Sequence, residues 1–207
     1  MKIDTLFANF MGADLLKTIN NHSLKTFILD LKSKDKGRVA SNYGGWQSHD
    51  LSLKEDSLKD LIIEIEKSLV SFKEVLGLRK EFKLKIINLW ANASGAGAIN
   101  TPHLHYGSVL SGVYYVTLPH QSGRLRIMNP NADHFSVFAF MGGIENYIEK
   151  PTPFTINHIE FSGQPGAIVI FPSHLCHYVL PNLSNEVRIS ISFNTKCERI
   201  TGTEEIG

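Results

Sequence analysis

Cysteine, net charge and long apolar runs are all scarce in this sequence, and each scarcity removes a class of protein. Only two cysteines occur in 207 residues, Cys176 and Cys197, and neither belongs to a CxxC pair. A disulfide framework and a cysteine-built zinc site are thereby excluded, and both side chains are expected to be reduced thiols. The formal charge is only +1, from 21 Lys and Arg against 20 Asp and Glu. The basic residues are scattered, so no stripe suited to a phosphate backbone is present and no nucleic-acid partner is expected. No apolar stretch approaches the roughly 20 residues that cross a bilayer, and the N-terminus lacks a basic region followed by an apolar run. A cytoplasmic location without a membrane partner is the expectation.

What is present suits a folded domain. A hydrophobic fraction of 43% and a charged fraction of 20% are ordinary, and the length fits one domain over 1–207. The most basic stretch, Lys25 to Arg38, is interleaved with Asp30 and Asp35 and reads as a solvated face. The pattern changes near Phe82. Before it, Leu24, Phe27, Ile28 and Leu31 fall at helical spacing, and a longer stripe runs through Leu58, Leu61, Ile62, Ile65, Leu69, Phe72 and Leu76. Asp56 or Ser57 is placed to cap that second helix, and Gly77 to stop it. After Phe82, short β-rich runs are broken by Gly, Pro, Asn and Asp, giving strands near Lys83–Asn92, Val109–Leu118, Arg124–Met128, Phe154–Phe161, Ala167–Phe171 and Val187–Asn194. Helices followed by many strands predict an α+β fold, mainly β. A helical segment of about 1–80 serves as buttress or dimer surface, and a β-sandwich or barrel fills about 81–200.

The chemistry centres on histidine. Nine are present. In an extended segment residues i and i+2 share a face, so His103 and His105 aim two imidazoles at one point. Neutral imidazole suits iron, zinc, copper or nickel, and the pair supplies two-thirds of a facial metal site. A third ligand is expected from a distant strand end. His177 follows the apolar run Gly166–Pro172 and is the better placed candidate, with His174 a rival three residues earlier. His22, His49, His120, His134 and His158 lack such spacing and read as surface or hydrogen-bonding residues. Eleven residues beyond His177, alternation within Val187–Phe193 puts Arg188, Ser190 and Ser192 on one face and Val187, Ile189, Ile191 and Phe193 on the other. A guanidinium lining a concave polar face grips a carboxylate with two parallel hydrogen bonds, which suits a dicarboxylate.

Six blocks together are similar to one family: Ser41–Gln47, Leu89–Asn92, His103–Ser108, Ser111–Val116, Phe171–His177 and Arg188–Asn194. Through them the sequence resembles the 2-oxoglutarate- and iron(II)-dependent oxygenases, nearest to a bacterial and phage branch related to the prolyl hydroxylases. The resemblance implies a double-stranded β-helix, or jelly roll. It also implies the cofactors iron(II), 2-oxoglutarate and O2, and hydroxylation of a small-molecule or peptide substrate with release of succinate and CO2. By position, His103 matches the first metal ligand, His177 the distal ligand and Arg188 the clamp on the far carboxylate of 2-oxoglutarate. Tyr115 matches a strand tyrosine that assists the clamp, which turns Tyr114 into the core; Trp90 and Asn92 fall on a strand beside the co-substrate.

One departure stands out. The family motif is His-x-Asp/Glu, and His105 occupies the acidic position. Either His105 ligates or an acid from elsewhere fills the gap; the i,i+2 geometry favours His105. The Gly95–Ala98 segment reads as a lid over the site or as a simple connection. A cupin-like metal protein, a zinc metalloprotein and a non-catalytic module of the same fold are the alternatives. Against the first, Tyr106–Thr117 contains no acid; against the second, no general-base carboxylate sits beside the histidine pair.

Overall fold

The computed structural model of this chain describes residues 1–131 and 146–200. His134 lies outside the described residues. The elements run β1 (Gly12–Leu15), α1 (Asn21–Lys34), β2 (Asn42–Tyr43), β3 (Trp46–Gln47), a 3-10 turn (Asp56–Leu58) and α2 (Lys59–Val75). Then follow β4 (Phe82–Ser94), β5 (Ile99–His103), β6 (Leu110–Thr117), β7 (Leu125–Met128), β8 (His158–Phe161), β9 (Ala167–Pro172), β10 (His177–Val179) and β11 (Arg188–Arg199).

Both helices form where the apolar stripes predict them. Asn20 caps α1, its side chain accepting from Ser23 N at 3.1 Å. At α2 the side chain that caps is Glu55, one residue before the expected Asp56 or Ser57; it accepts from Ser57 N and opens the 3-10 turn that leads into the helix. The α2 end is a Schellman motif: Gly77, at φ +61, donates to Glu74 O and Leu78 donates to Lys73 O. Leu24 and Ile28 of α1 and Leu61, Ile65, Leu69 and Phe72 of α2 are buried in one cluster with Leu89, Tyr114, Ile168, Ile170, Ile191 and Phe193. The helices therefore cover the outer face of a sheet, as a buttress does.

Two antiparallel sheets carry the fold, ordered β1-β9-β6-β11-β4-β3 and β2-β5-β10-β7-β8. Strands β4, β6, β9 and β11 lie in the first sheet and β5, β7, β8 and β10 in the second; apart from the β7–β8 pair the chain crosses between sheets at each step, winding as a double-stranded β-helix, the jelly-roll arrangement. A second, smaller cluster containing Tyr115, Leu125, Ile127, Val169 and Phe171 fills part of the space between the sheets. Strand parity makes the division: Tyr114 turns outward to the helices and donates to Asn21 Oδ1 at 2.7 Å, while Tyr115 turns inward.

The strand expected over Phe154–Phe161 begins only at His158. Residues before it turn instead, with Thr155 N and Ile156 N both donating to Thr152 O. Strand β11 runs five residues past its expected end at Asn194, paired with β4 to Phe82. Residues 95–98 are a pinned connection: Gly97 donates to Asn182 O at 2.7 Å and Asn182 donates back to Ala98 O at 3.0 Å. None of these four residues lines the site, which argues for a connection and against a lid.

Candidate metal centre and its cavity

The sheets part at one end to leave a cavity of about 500 Å3, a size within the ~300–1,000 Å3 usual for small-molecule sites. His103 ends β5 and His177 begins β10; the two strands pair with these residues directly opposite. His105 lies two residues beyond β5, and its backbone N donates to Ser173 O at 3.0 Å, which holds the segment after the strand against the β9–β10 connection. One nitrogen from each of the three imidazoles falls within 4.8 Å of the others. The ring centroids are 4.3 Å apart for His103 and His177 and 5.1 Å for the other two pairs.

Each ring is oriented by its surroundings. His103 Nδ1 donates to Thr101 O at 2.7 Å and His177 Nδ1 donates to Leu175 O at 2.9 Å, assignments that leave Nε2 of each ring as the acceptor nitrogen; Ser41 Oγ stands 3.4 Å from that of His103. The Asn194 side-chain nitrogen stands 3.5 Å from His105 Nδ1, while Asn194 Oδ1 accepts from Ser111 Oγ at 2.8 Å. Ser111 also meets Ser173 Oγ at 2.8 Å, so the shell around His105 is one hydrogen-bonded chain. Phe171 packs edge-on against His177 at 4.7 Å, and Trp90 lies 5.7 Å from His105.

Burial keeps all three imidazoles neutral. It pulls His103 below its ordinary value despite the Thr101 carbonyl, pulls His105 down to about 4 with help from His103, and pulls His177 down to about 3 with help from both neighbours. Neutral imidazole is the form that binds metal. The lowered values also predict how the metal-free protein responds to acid. Below the ordinary pKa of 6.5 the unfolded chain takes up protons that the folded cluster refuses, so stability is complete above pH 6.5 and falls as pH drops toward 4. The expected loss is about 2–4 kcal/mol after discounting for partial exposure and mutual coupling. Denaturant unfolding at pH 7.0 and 4.5 measures it. A His105→Gln/His177→Asn double variant should flatten the difference, and an undiminished slope in that variant would contradict the assignment.

Arg188 lies in the same cavity, 3% exposed, on β11 with Ser190 and Ser192. Its Nη1 donates to Ser122 O and lies 3.4 Å from Gly123 O. Gly123 has φ +89, and a Cβ there would stand 2.0 Å from Leu180 O and 2.7 Å from the guanidinium, so only glycine fits this cradle. Among the described residues no carboxylate pairs with Arg188, and no Asp or Glu lines the cavity. A buried cation without a carboxylate partner is a receptor for an anion. Beside it, burial raises the Tyr115 hydroxyl well above the usual tyrosine range against the pull of Arg188, which leaves a neutral O–H donor. Trp90 and Asn92 also line the cavity, from β4.

The structure thus brings together His103, His105, His177, Arg188, Tyr115, Trp90 and Asn92. His174 is exposed, 3.1 Å from Asn9 Oδ1, and takes no part in the cluster. His22, His49 and His120 are exposed, and His158 lies 3.9 Å from Glu160 on β8. Sequence reasoning missed the Ser122–Gly123 cradle, whose Ser-Gly pair is a turn signal, and the Ser111–Asn194 chain, which carries no motif. It also placed Arg38 on a solvated face, whereas Arg38 lines the cavity; most other charged residues of that stretch are exposed as expected.

The donor set fits a divalent first-row metal such as iron(II), and the buried guanidinium with its neighbouring hydroxyl fits a dicarboxylate. A family model described as "Putative 2OG-Fe(II) oxygenase" matches residues 88–194, more than half of the chain and a span that includes His103, His105, His177 and Arg188. No curated protein matches by sequence. Among solved structures, the chain resembles a Pseudomonas putida prolyl-4-hydroxylase, with a TM-score of 0.60 and 13% identity over 91% of this chain and 92% of that one. It also resembles HygX from Streptomyces hygroscopicus, solved with nickel and 2-oxoglutarate bound (TM-score 0.58, 10% identity, 89% and 82% covered). A third is the viral collagen prolyl hydroxylase of Paramecium Bursaria Chlorella virus-1, solved as a 2-oxoglutarate complex (TM-score 0.56, 9% identity, 89% and 94% covered). At such identities these likenesses speak for the fold, while the matched family model speaks for descent: the chain belongs to the 2OG-Fe(II) oxygenases, whose cofactors are iron(II) and 2-oxoglutarate.

Proposed function

We propose that this protein is a 2-oxoglutarate-dependent dioxygenase that hydroxylates a small-molecule or peptide substrate and releases succinate and CO2. His103, His105 and His177 hold the iron(II), and Arg188 with Tyr115 binds the far carboxylate of 2-oxoglutarate. The observation that carries this reading is the convergence of three neutral imidazoles in one cavity with a buried arginine that has no carboxylate partner among the described residues. When bound, iron(II) and 2-oxoglutarate would supply the electrons that activate O2 for oxidation of a C–H bond.

The chain's own residues hold and orient. Thr101 and Leu175 carbonyls fix the tautomers of His103 and His177. Phe171 and Trp90 shield the cluster with apolar surface. The Ser122–Gly123 cradle holds the guanidinium in place. Because no carboxylate among the described residues joins the three histidines, the bound metal would keep its full double positive charge until the dicarboxylate neutralises it. The dicarboxylate therefore contributes more to charge balance here than in a site with an acidic ligand. The helical segment acts as buttress within a single domain over 1–207, and two free cysteines fit a reducing cytoplasm.

Anaerobic titration with iron(II) and then 2-oxoglutarate tests the reading. A weak visible charge-transfer band, with succinate release once O2 is admitted, is the expected result. Tight zinc binding without such a band would favour a zinc protein instead.

A further inference from the structure

We propose that the end of the cavity around Arg38, Asn88 and Trp90 is the primary-substrate subsite, and that it selects a small molecule of α-amino-acid type, a carboxylate with a neighbouring N–H donor. The inference rests on the oxygenase reading for the reaction but on separate observations for the subsite.

Three buried polar atoms around this cavity have no hydrogen-bond partner: Arg38 Nε, Asn88 Oδ1 and Asn92 Oδ1. They are one donor and two acceptors. Buried polar groups are nearly always satisfied, and orphans gathered in one cavity mark the place where a ligand supplies what the protein does not. The complement of this set is a ligand with an acceptor for the guanidinium and one or more donors for the amide oxygens. Asn88, Trp90 and Asn92 share one face of β4 because they alternate along the strand, opposite Asn194, Ser192 and Ser190 of β11.

Position links this subsite to the metal centre. The Arg38 guanidinium carbon lies 5.9 Å from the centre of the Trp90 ring and the His105 ring lies 5.7 Å from it, so Trp90 neighbours both. A molecule held by Arg38 and Asn88 shares the cavity with the imidazole cluster, while Arg188 stands at the Ser94 end of the same ladder.

Arg38 is held in place by its backbone. Gly37 has φ +71, and a Cβ there would stand 2.3 Å from Gln47 O, so the chain passes closely enough for Arg38 N to donate to that oxygen at 2.8 Å. Trp46 Nε1 donates to Asp35 O at 2.9 Å and pins the same turn. Asp50, which does not line the cavity, takes Arg38 Nη2 at 2.7 Å and leaves Nε for the interior.

Charge selects the acid. Iron(II) and a doubly ionised 2-oxoglutarate sum to zero over three neutral imidazoles, and no acidic residue lines the cavity among those described. The remaining positive field comes from Arg188 and from Arg38, whose charge is shared with Asp50, so a ligand carboxylate is drawn to this end and an amide, which keeps the ammonium but lacks the carboxylate, binds less well.

Ligand-observed saturation-transfer NMR tests this with the full chain loaded with zinc(II) and 2-oxoglutarate. The probes are a pool of L-amino acids and the matching pool of L-amino acid amides. One or more acids should bind, with their amides weaker by about tenfold to a hundredfold, the loss of one charge-assisted hydrogen bond. Arg38→Leu should remove acid binding while the iron(II) and 2-oxoglutarate band persists. Asn88→Leu, which removes the acceptor for the shared N–H donor, should weaken acids and amides alike. Amides binding as well as acids, no acid binding at all, or Arg38→Leu binding like the parent would overturn the proposal. Absence of the band in the parent protein, with Arg38-dependent acid binding intact in the metal-free chain, would instead defeat the oxygenase reading and leave this subsite standing.

Discussion

His177→Ala is expected to weaken iron(II) binding about a hundredfold to a thousandfold. Dividing the roughly 10–16 kcal/mol of a four-ligand structural metal site among its ligands gives about 3 kcal/mol each. His103→Ala should behave alike, because its Nε2 is oriented in the same way by a carbonyl on Nδ1. His105→Asp is the informative contrast. It introduces the carboxylate that the family motif has at this position, next to Asn194, so iron(II) affinity should be retained or raised while His105→Ala loses it. Competition against a metal-sensitive dye under argon gives the affinities. If His105→Ala bound iron(II) as tightly as the parent, His105 would not be a ligand.

Arg188→Met should weaken 2-oxoglutarate binding by about a hundredfold to a thousandfold, since two charge-assisted hydrogen bonds are worth about 3–5 kcal/mol together. Methionine keeps much of the volume but leaves the Ser122 and Gly123 carbonyls without their donor, a stability cost of about 1–3 kcal/mol. Thermal unfolding must therefore accompany the binding measurement. Arg188→Lys separates the two effects. It restores the charge without the planar fork, and should recover part of the affinity. An unchanged 2-oxoglutarate affinity in folded Arg188→Met would remove Arg188 from the site.

Much of the site was legible because it depends on short periodicities. Parity along one strand separates Arg188, Ser190 and Ser192 from Ile189, Ile191 and Phe193, and the core and cavity faces follow it. The same rule aimed His103 and His105 together and sent Tyr114 and Tyr115 to opposite faces. Other parts were illegible for a physical reason. Strands β1, β2 and β3 have two to four residues and exist through pairing with β9, β5 and β4, so their own sequence carries little signal. Arg38 looked like any cation of an exposed charged stretch because its partners, Gln47, Asp50 and Trp90, come from three separate places along the chain.

By itself the sequence determined two amphipathic helices, an alternating β-rich region and a histidine pair set at strand spacing, all properties of neighbouring residues. Tertiary structure separates His177, which the sequence already favoured, from its rival His174: antiparallel pairing sets His177 opposite His103, while the His174 ring, on the turn before that strand, meets Asn9. It also decided that Arg188 has no acid beside it among the described residues and that Arg38 lines the cavity. Those outcomes depend on which distant segments meet, and long-range register is fixed by how the whole apolar pattern packs rather than by any local run of residues.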